Sequence, residues 1–259
     1  MDNELDFSDR TVLVTGSGRN IGRAIILEFA ARGANVVINA RSNAAEAEEV
    51  ATRARELGAE ALVVLGDASE LAVVEEMHRR SVERFGRVDI YVSNAARRLH
   101  KDFFATTHED WHYHLNQQLT SAWYLAKTFV PDMRAAGWGR ILHINGNDGI
   151  RGDFERIPHS VAKGGLRTLT RSLAAGLGQY GITVNEIYPG FQATRRDPKT
   201  HPEVTDDYTA RRLSRFPLRR QPTPAELAWA AAFLCAPRSG AITAGSVSLD
   251  GGELWIQAR

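Results

Sequence analysis

The 259-residue sequence predicts one α/β domain, spanning 1–259, built on a doubly wound parallel sheet with helices on both faces. Short β-branched runs alternate along the chain with longer helical stretches. Most of those runs are continuously apolar rather than alternating, as strands covered on both faces require. A glycine-rich turn follows the first run and opens a helix, which places it at the edge where such sheets bind ligands.

In chain order the strands are expected at 11–15, 36–39, 61–65, 88–92, 140–144, 183–188 and 246–249, with helices over 21–32, 44–57 and 70–85 between the first four. Thr107 and Asp110 have the spacing of a capping box, opening a long helix toward Phe129. Pro224 stands where a first helical turn tolerates proline, ahead of a helix over 225–234. The βαβ series takes right-handed crossovers. The stretch 195–221 is polar, contains Pro198, Pro202 and Pro217, and breaks the alternation, so it reads as a substrate lid; a surface excursion without a role is the competing reading.

Lysine and arginine number 32 against 31 acidic residues, interspersed to a net charge of +1, so no footprint for nucleic acid or an anionic membrane is present. A small-molecule partner is the expectation. The single cysteine, Cys235, lies in an apolar helical stretch and reads as a core residue rather than part of a disulfide framework. Residues 1–6 are acidic and lack an apolar signal core, and no run approaches the roughly 18 apolar residues of a membrane span, so a cytoplasmic location is expected.

The turn Thr15-Gly16-Ser17-Gly18-Arg19-Asn20-Ile21-Gly22 has the residues of a dinucleotide site in a Rossmann fold. Gly16 and Gly18 let the backbone approach a pyrophosphate, Gly22 permits tight helix packing, and the helix N-terminus, from Arg19 through Ile21, supplies amide donors and positive dipole. Asn20 replaces a glycine and is among the few residues that tolerate positive φ. The second strand ends Asn39-Ala40-Arg41-Ser42 with no carboxylate to accept from a ribose 2′-hydroxyl. That favours NADP(H) over NAD(H), with Arg41, Ser42 and Arg19 pairing a 2′-phosphate; a solvated surface arginine is the bland alternative.

Over nearly its whole length the chain resembles the short-chain dehydrogenase/reductase family, because several motifs occur in order. Residues 15–22 resemble the family's Thr-Gly-x-x-x-Gly-x-Gly, Asp67-Ala68 its adenine-contacting segment, and Ser93-Asn94-Ala95-Ala96 its Asn-Asn-Ala-Gly with two positions changed. Pro189-Gly190, with Thr194 beyond, resembles the turn beside the nicotinamide, and Leu249-Asp250-Gly251-Gly252 the C-terminal signature. The resemblance implies a nicotinamide cofactor and a homo-oligomer, tetramer or dimer.

The family's catalytic set of Asn, Ser, Tyr and Lys is largely replaced. In His159-Ser160-Val161-Ala162-Lys163 the lysine is in place, but histidine stands where the tyrosine is expected. Tyrosine and lysine four apart share one helix face, so His159 and Lys163 do as well. The serine position falls on Gly146 and the asparagine position on Gln118, with Asn116 as a register alternative. One reading is a rebuilt oxidoreductase acting on a carbonyl or hydroxyl group. In it His159 is the acid/base, Lys163 holds the nicotinamide ribose, and Asn145, Asn147 or Asp148 replaces the serine. The positive charge of Lys163 favours neutral imidazole. The alternative is a non-redox lyase or hydrolase, or an inactive partner subunit.

Arg97, Arg98, His100, Arg151, Phe154, Phe191 and Gln192 follow strand ends and are expected to line the pocket, where the basic groups suggest an acidic or phenolic substrate and solvated arginines explain them equally well. His108-Glu109-Asp110-Trp111-His112 matches a zinc-hydrolase pattern, yet it straddles the helix start set by Thr107 and has no well-placed third ligand. No metal site is expected.

Overall fold

A computed structural model describes residues 5–97, 100–194 and 204–256. Seven strands, β1 (Thr11–Val14), β2 (Asn35–Ala40), β3 (Ala61–Leu65), β4 (Ile90–Ser93), β5 (Gly139–Ile144), β6 (Ile182–Tyr188) and β7 (Ser246–Ser248), form one sheet in the order β3-β2-β1-β4-β5-β6-β7. Every pairing is parallel. The order reverses between β1 and β4, and ligands of such sheets bind at the carboxyl ends beside that switch point.

Helices α1 (Asn20–Ala30), α2 (Ala44–Glu56), α3 (Leu71–Phe85), α4 (His108–Leu115), α5 (Ser121–Ala135), α6 (Asp148–Arg151), α7 (Ile157–Leu177), α8 (Asp206–Leu213) and α9 (Pro224–Cys235) complete the layers. Successive strand side chains point to opposite faces. Val12 and Val14 therefore join Ile25, Phe29 and Leu227 under α1 and α9, while Leu13 joins Met77, Leu125 and Phe129 under α3 and α5. Cys235 is buried in the first of these cores, where burial pushes its thiol up to about 12. Among the described residues, no helix is long and apolar enough to cross a membrane and no group of three or more His, Cys, Asp or Glu could hold a metal.

Thr107 caps α4 through the reciprocal bonds of a capping box with Asp110, as its spacing predicted. The helix does not run unbroken to Phe129. A π turn over Asn116–Thr120 separates α4 from α5, and the extra residue swings Gln117 and Gln118 into the interior. There Gln117 Oε1 accepts from the Arg97 amide at 2.6 Å. Of the predicted lid, 195–203 lies outside the described residues, and the remainder holds α8 followed by turns that lead into α9.

Candidate active site

The β1–α1 turn is built by side chains as much as by glycines. Asn39, at the end of β2, accepts from the Gly16 amide at 3.2 Å and donates to the carbonyls of Val64 and Gly66 at 3.1 Å. From β4, Asn94 donates to the carbonyls of Thr15 at 2.8 Å and Gly16 at 3.2 Å, and Thr15 Oγ1 accepts from the amides of Asn94 and Ala95. Gly16 and Asn20 adopt φ of 64° and 50°, so Asn20 takes the left-handed conformation that its type tolerates. A Cβ on Gly22 would lie 2.4 Å from the Gly16 carbonyl oxygen, which fixes glycine there by packing.

Whether the residues fit a dinucleotide turns on the N-terminus of α1. α1 has no side-chain N-cap and no acidic residue in its first turn, a state it shares with α3, α5 and α7. What sets α1 apart is the Gly16–Gly18 turn that leads into it. Arg19, Arg41 and Ser42 are exposed. Asp67 spends one carboxylate oxygen on the amide and hydroxyl of Ser69, at 3.0 and 2.7 Å, beside buried Ala68. Gly190, at φ 61°, could not bear a Cβ, which would meet Asp250 Cβ at 2.3 Å. Thr194 is the last described residue before 195–203.

At the other end of the sheet edge, His159 and Lys163 lie one turn apart on α7, 1% and 4% exposed. Lys163 Nζ donates to the carbonyl of Ile144 at 2.7 Å. Asp148 Oδ2 lies 3.6 Å from His159 Nε2 and accepts from Arg156 Nη1 at 3.0 Å, while Arg156 also pairs with Asp153 at 3.1 Å. A Cβ built on Gly146 would meet His159 Nε2 at 3.6 Å and Lys163 Cγ at 3.5 Å, ordinary contact distances. A side chain at 146 would therefore point at the imidazole, and glycine leaves that space open. By contrast, a Cβ on Gly149 would strike the Lys163 backbone at 2.7 Å, so glycine here lets α6 sit against α7.

Asn145 does not face His159. Its amide donates to buried Glu186 at 2.5 Å, and its carbonyl accepts from the Gly146 amide at 2.9 Å. Glu186 also accepts from Tyr188 and Ser246, at 3.0 and 2.6 Å. This network pins the strand end and removes Asn145 from the groups that can stand in for a serine. Asn147 donates to Asp250 at 3.1 Å and is likewise engaged. Gln118, 2% exposed, reaches the Arg97 carbonyl and His114 Nδ1, both at 3.4 Å, and its Oε1 has no hydrogen-bond partner. Burial lowers the pKa of His114. A small pocket lined in part by Lys101, Asp110, His114, Arg156 and His159 joins these elements.

Several groups expected along the pocket wall are committed elsewhere. Arg151 donates to the carbonyls of Glu253 and Leu254. Gln192 is buried and donates to the carbonyls of Pro189 and Leu249, and Phe191 lies under the Arg212 guanidinium at 4.4 Å. Arg98 is outside the described residues. A groove of about 920 Å³ lies elsewhere, between α9 and β7. Sequence reasoning missed Asn39, Glu186 and Arg156; only Asn39 gave a signal, a polar residue ending an apolar strand run.

Comparison with known proteins agrees with the fold. The profile of the family described as enoyl-(acyl carrier protein) reductase matches residues 16–253. An uncharacterized oxidoreductase of Thermotoga maritima is 32% identical over 254 residues, covering 96% of this chain and 99% of the relative. A gluconate 5-dehydrogenase from Burkholderia cenocepacia, solved with NADP and tartrate, superposes with a TM-score of 0.88 at 29% identity, covering 97% of each chain. A 7α-hydroxysteroid dehydrogenase, solved with NADH and 7-oxo glycochenodeoxycholic acid, superposes with a TM-score of 0.91 at 27% identity, covering 97% of this chain and 97% of that one.

Proposed function

Given that the chain belongs to the short-chain dehydrogenase/reductase family, we propose that it is an NADP(H)-dependent oxidoreductase interconverting a hydroxyl and a carbonyl on a small molecule, with His159 in the tyrosine's place. The observation that carries the reading is His159 Nε2, which faces the open side of Gly146 with Asp148 at 3.6 Å and Lys163 one turn away.

Gly16, Gly18, Arg19, Asn20, Ile21 and Gly22 would hold the pyrophosphate, and Asp67 and Ala68 the adenine. Asn94, Lys163, Pro189, Gly190 and Thr194 would hold the nicotinamide end. When bound, the cofactor supplies or accepts a hydride. In the reductive direction the His159 imidazolium gives its Nε2 proton to the substrate oxygen; in the oxidative direction the neutral ring takes it back. Asp148, 3.6 Å from that same nitrogen and held by Arg156, positions the ring. The buried Gln118 Oε1 can accept from a substrate hydroxyl, and Lys163, anchored on Ile144, orients the cofactor ribose. One structural neighbour carries NADP and another NADH, so preference for NADP(H) rests on Arg41 and Ser42 and the missing carboxylate.

A homo-oligomer is supported by an apolar face on α9. Trp229 and Phe233 stack at 5.8 Å, 53% and 41% exposed, beside edge strand β7, an apolar face suited to a second copy.

Oxidation of NADPH over a carbonyl panel tests the reading. His159→Phe should lower kcat roughly 100-fold or more, and full activity in that variant would refute the acid/base assignment. Tight NADPH binding with no turnover by the unaltered protein would favour a non-redox enzyme or a partner subunit.

A further inference from the structure

The loops after β4 and β5 both expose aromatic rings beside the reacting centre. Phe103 and Phe104 on the first and Phe154 on the second are 55%, 89% and 61% exposed. Phe103 meets Phe104 edge-on at 5.5 Å and Phe154 at a tilt at 6.2 Å, so the three form one continuous shelf. The Lys101 amide donates to the Glu155 carbonyl at 3.0 Å and ties the loops together. The turn carrying Phe154 runs straight into α7 and His159, and Lys101, Glu155 and His159 line the same small pocket. Clustered exposed aromatics forgo burial, and such clusters mark binding surfaces.

Among the described residues around the shelf most of the charge is engaged, while Arg97 on the first loop stays exposed. Lys101 pairs with Asp110 at 2.6 Å, Arg156 with Asp148 and Asp153, and Arg151 is spent on backbone carbonyls. Burial holds His114 toward its neutral form. An anionic substrate would have to break these pairs or reach out to Arg97, whereas a neutral ring meets π-faces directly.

We propose that the substrate is a neutral ketone or secondary alcohol on a flat fused-ring skeleton, lying on Phe103 and Phe154 with its oxygen directed at His159. This rests on the reading of His159 as the acid/base and narrows the substrate to a class that excludes sugar acids.

The test measures binding and turnover separately. The NADPH-loaded protein and its F103A/F154A variant are titrated calorimetrically with 1-indanone, 1-tetralone and 2-decalone, with 5-keto-D-gluconate as the hydrophilic comparison. Both positions are exposed, so the variant should fold, which an unchanged NADPH affinity verifies. The expected result is binding of at least one fused-ring ketone, weakened tenfold or more in the variant, with a matching rise in KM and kcat within twofold. Failure of all three to bind the unaltered protein, equal affinity in the variant, or turnover of 5-keto-D-gluconate in preference to the ring ketones overturns the proposal. Phe-dependent binding without NADPH oxidation leaves the shelf standing and removes the redox reading instead.

Discussion

The two ends of one sheet edge hold their residues in different ways. At the cofactor end, the turn is fixed by backbone contacts that admit a single residue type, as at Gly22, or by side chains that bond main-chain groups, as at Asn39 and Asn94. At the substrate end, the backbone is pinned from behind by Asn145 on Glu186 and Lys163 on Ile144, so the side chains that face the pocket are not what holds it up. On the proposed register, the difference explains why the first region keeps the family pattern and the second departs from it: a serine and a tyrosine could give way to Gly146 and His159 at little cost to the scaffold.

Exchanging a hydrogen for a methyl group at each end is the strongest way to break this contrast. Gly22→Ala places a carbon 2.4 Å from a backbone oxygen and should lower stability by about 3 kcal/mol and abolish NADPH binding. Gly146→Ala enters ordinary contact distance and should stay within about 0.5 kcal/mol of the parent. Urea unfolding of both proteins checks the pair, and equal losses would end the distinction.

A second prediction concerns the support beneath the substrate end. His143 on β5 is buried, bonded through Nδ1 to Thr170 at 2.8 Å, and burial, reinforced by Lys163, pushes its pKa down to about 3. In the unfolded chain an ordinary histidine binds a proton below roughly pH 6.5. Between these values the unfolded state holds the extra proton, so this contribution is complete above pH 6.5 and is lost as pH falls. One such group removes about 2 kcal/mol between pH 6.5 and pH 5. Unfolding midpoints measured across that window should flatten by one proton in His143→Phe, and an unchanged slope would show that the ring is protonated in the fold.

The smallest effect is expected at the exposed rim of the cofactor end. Arg41→Ala should reduce the affinity for NADPH about tenfold and leave NADH unchanged, because only the former carries a 2′-phosphate. Parallel titrations with the two cofactors sharpen the comparison, and an undiminished preference would move selectivity elsewhere.

The sequence announced features that local chemistry dictates. The parallel sheet was legible in the apolar runs, the start of α4 in Thr107 and Asp110, and the conformation of Asn20 in its residue type. Hidden from it were pairings between distant positions: Asn145 and Glu186 stand 41 residues apart, and neither carries a sign of the other. The π turn was hidden too, since Asn116–Thr120 continues a helical pattern and only the inward bonds of Gln117 and Gln118 mark the extra residue. Arg151 read from the chain as a pocket cation because a sequence shows charge but not the distant carbonyls that engage it.

Asn39 bears on how cofactor choice could be re-engineered. An acid introduced at the end of β2 is the natural route toward NADH, but at position 39 a carboxylate would surrender the two donated bonds to Val64 and Gly66 and set negative charge against their carbonyl oxygens. The designable window therefore begins beyond this residue, at Arg41 and Ser42, where the chain has left the sheet and a new side chain disturbs nothing it rests on.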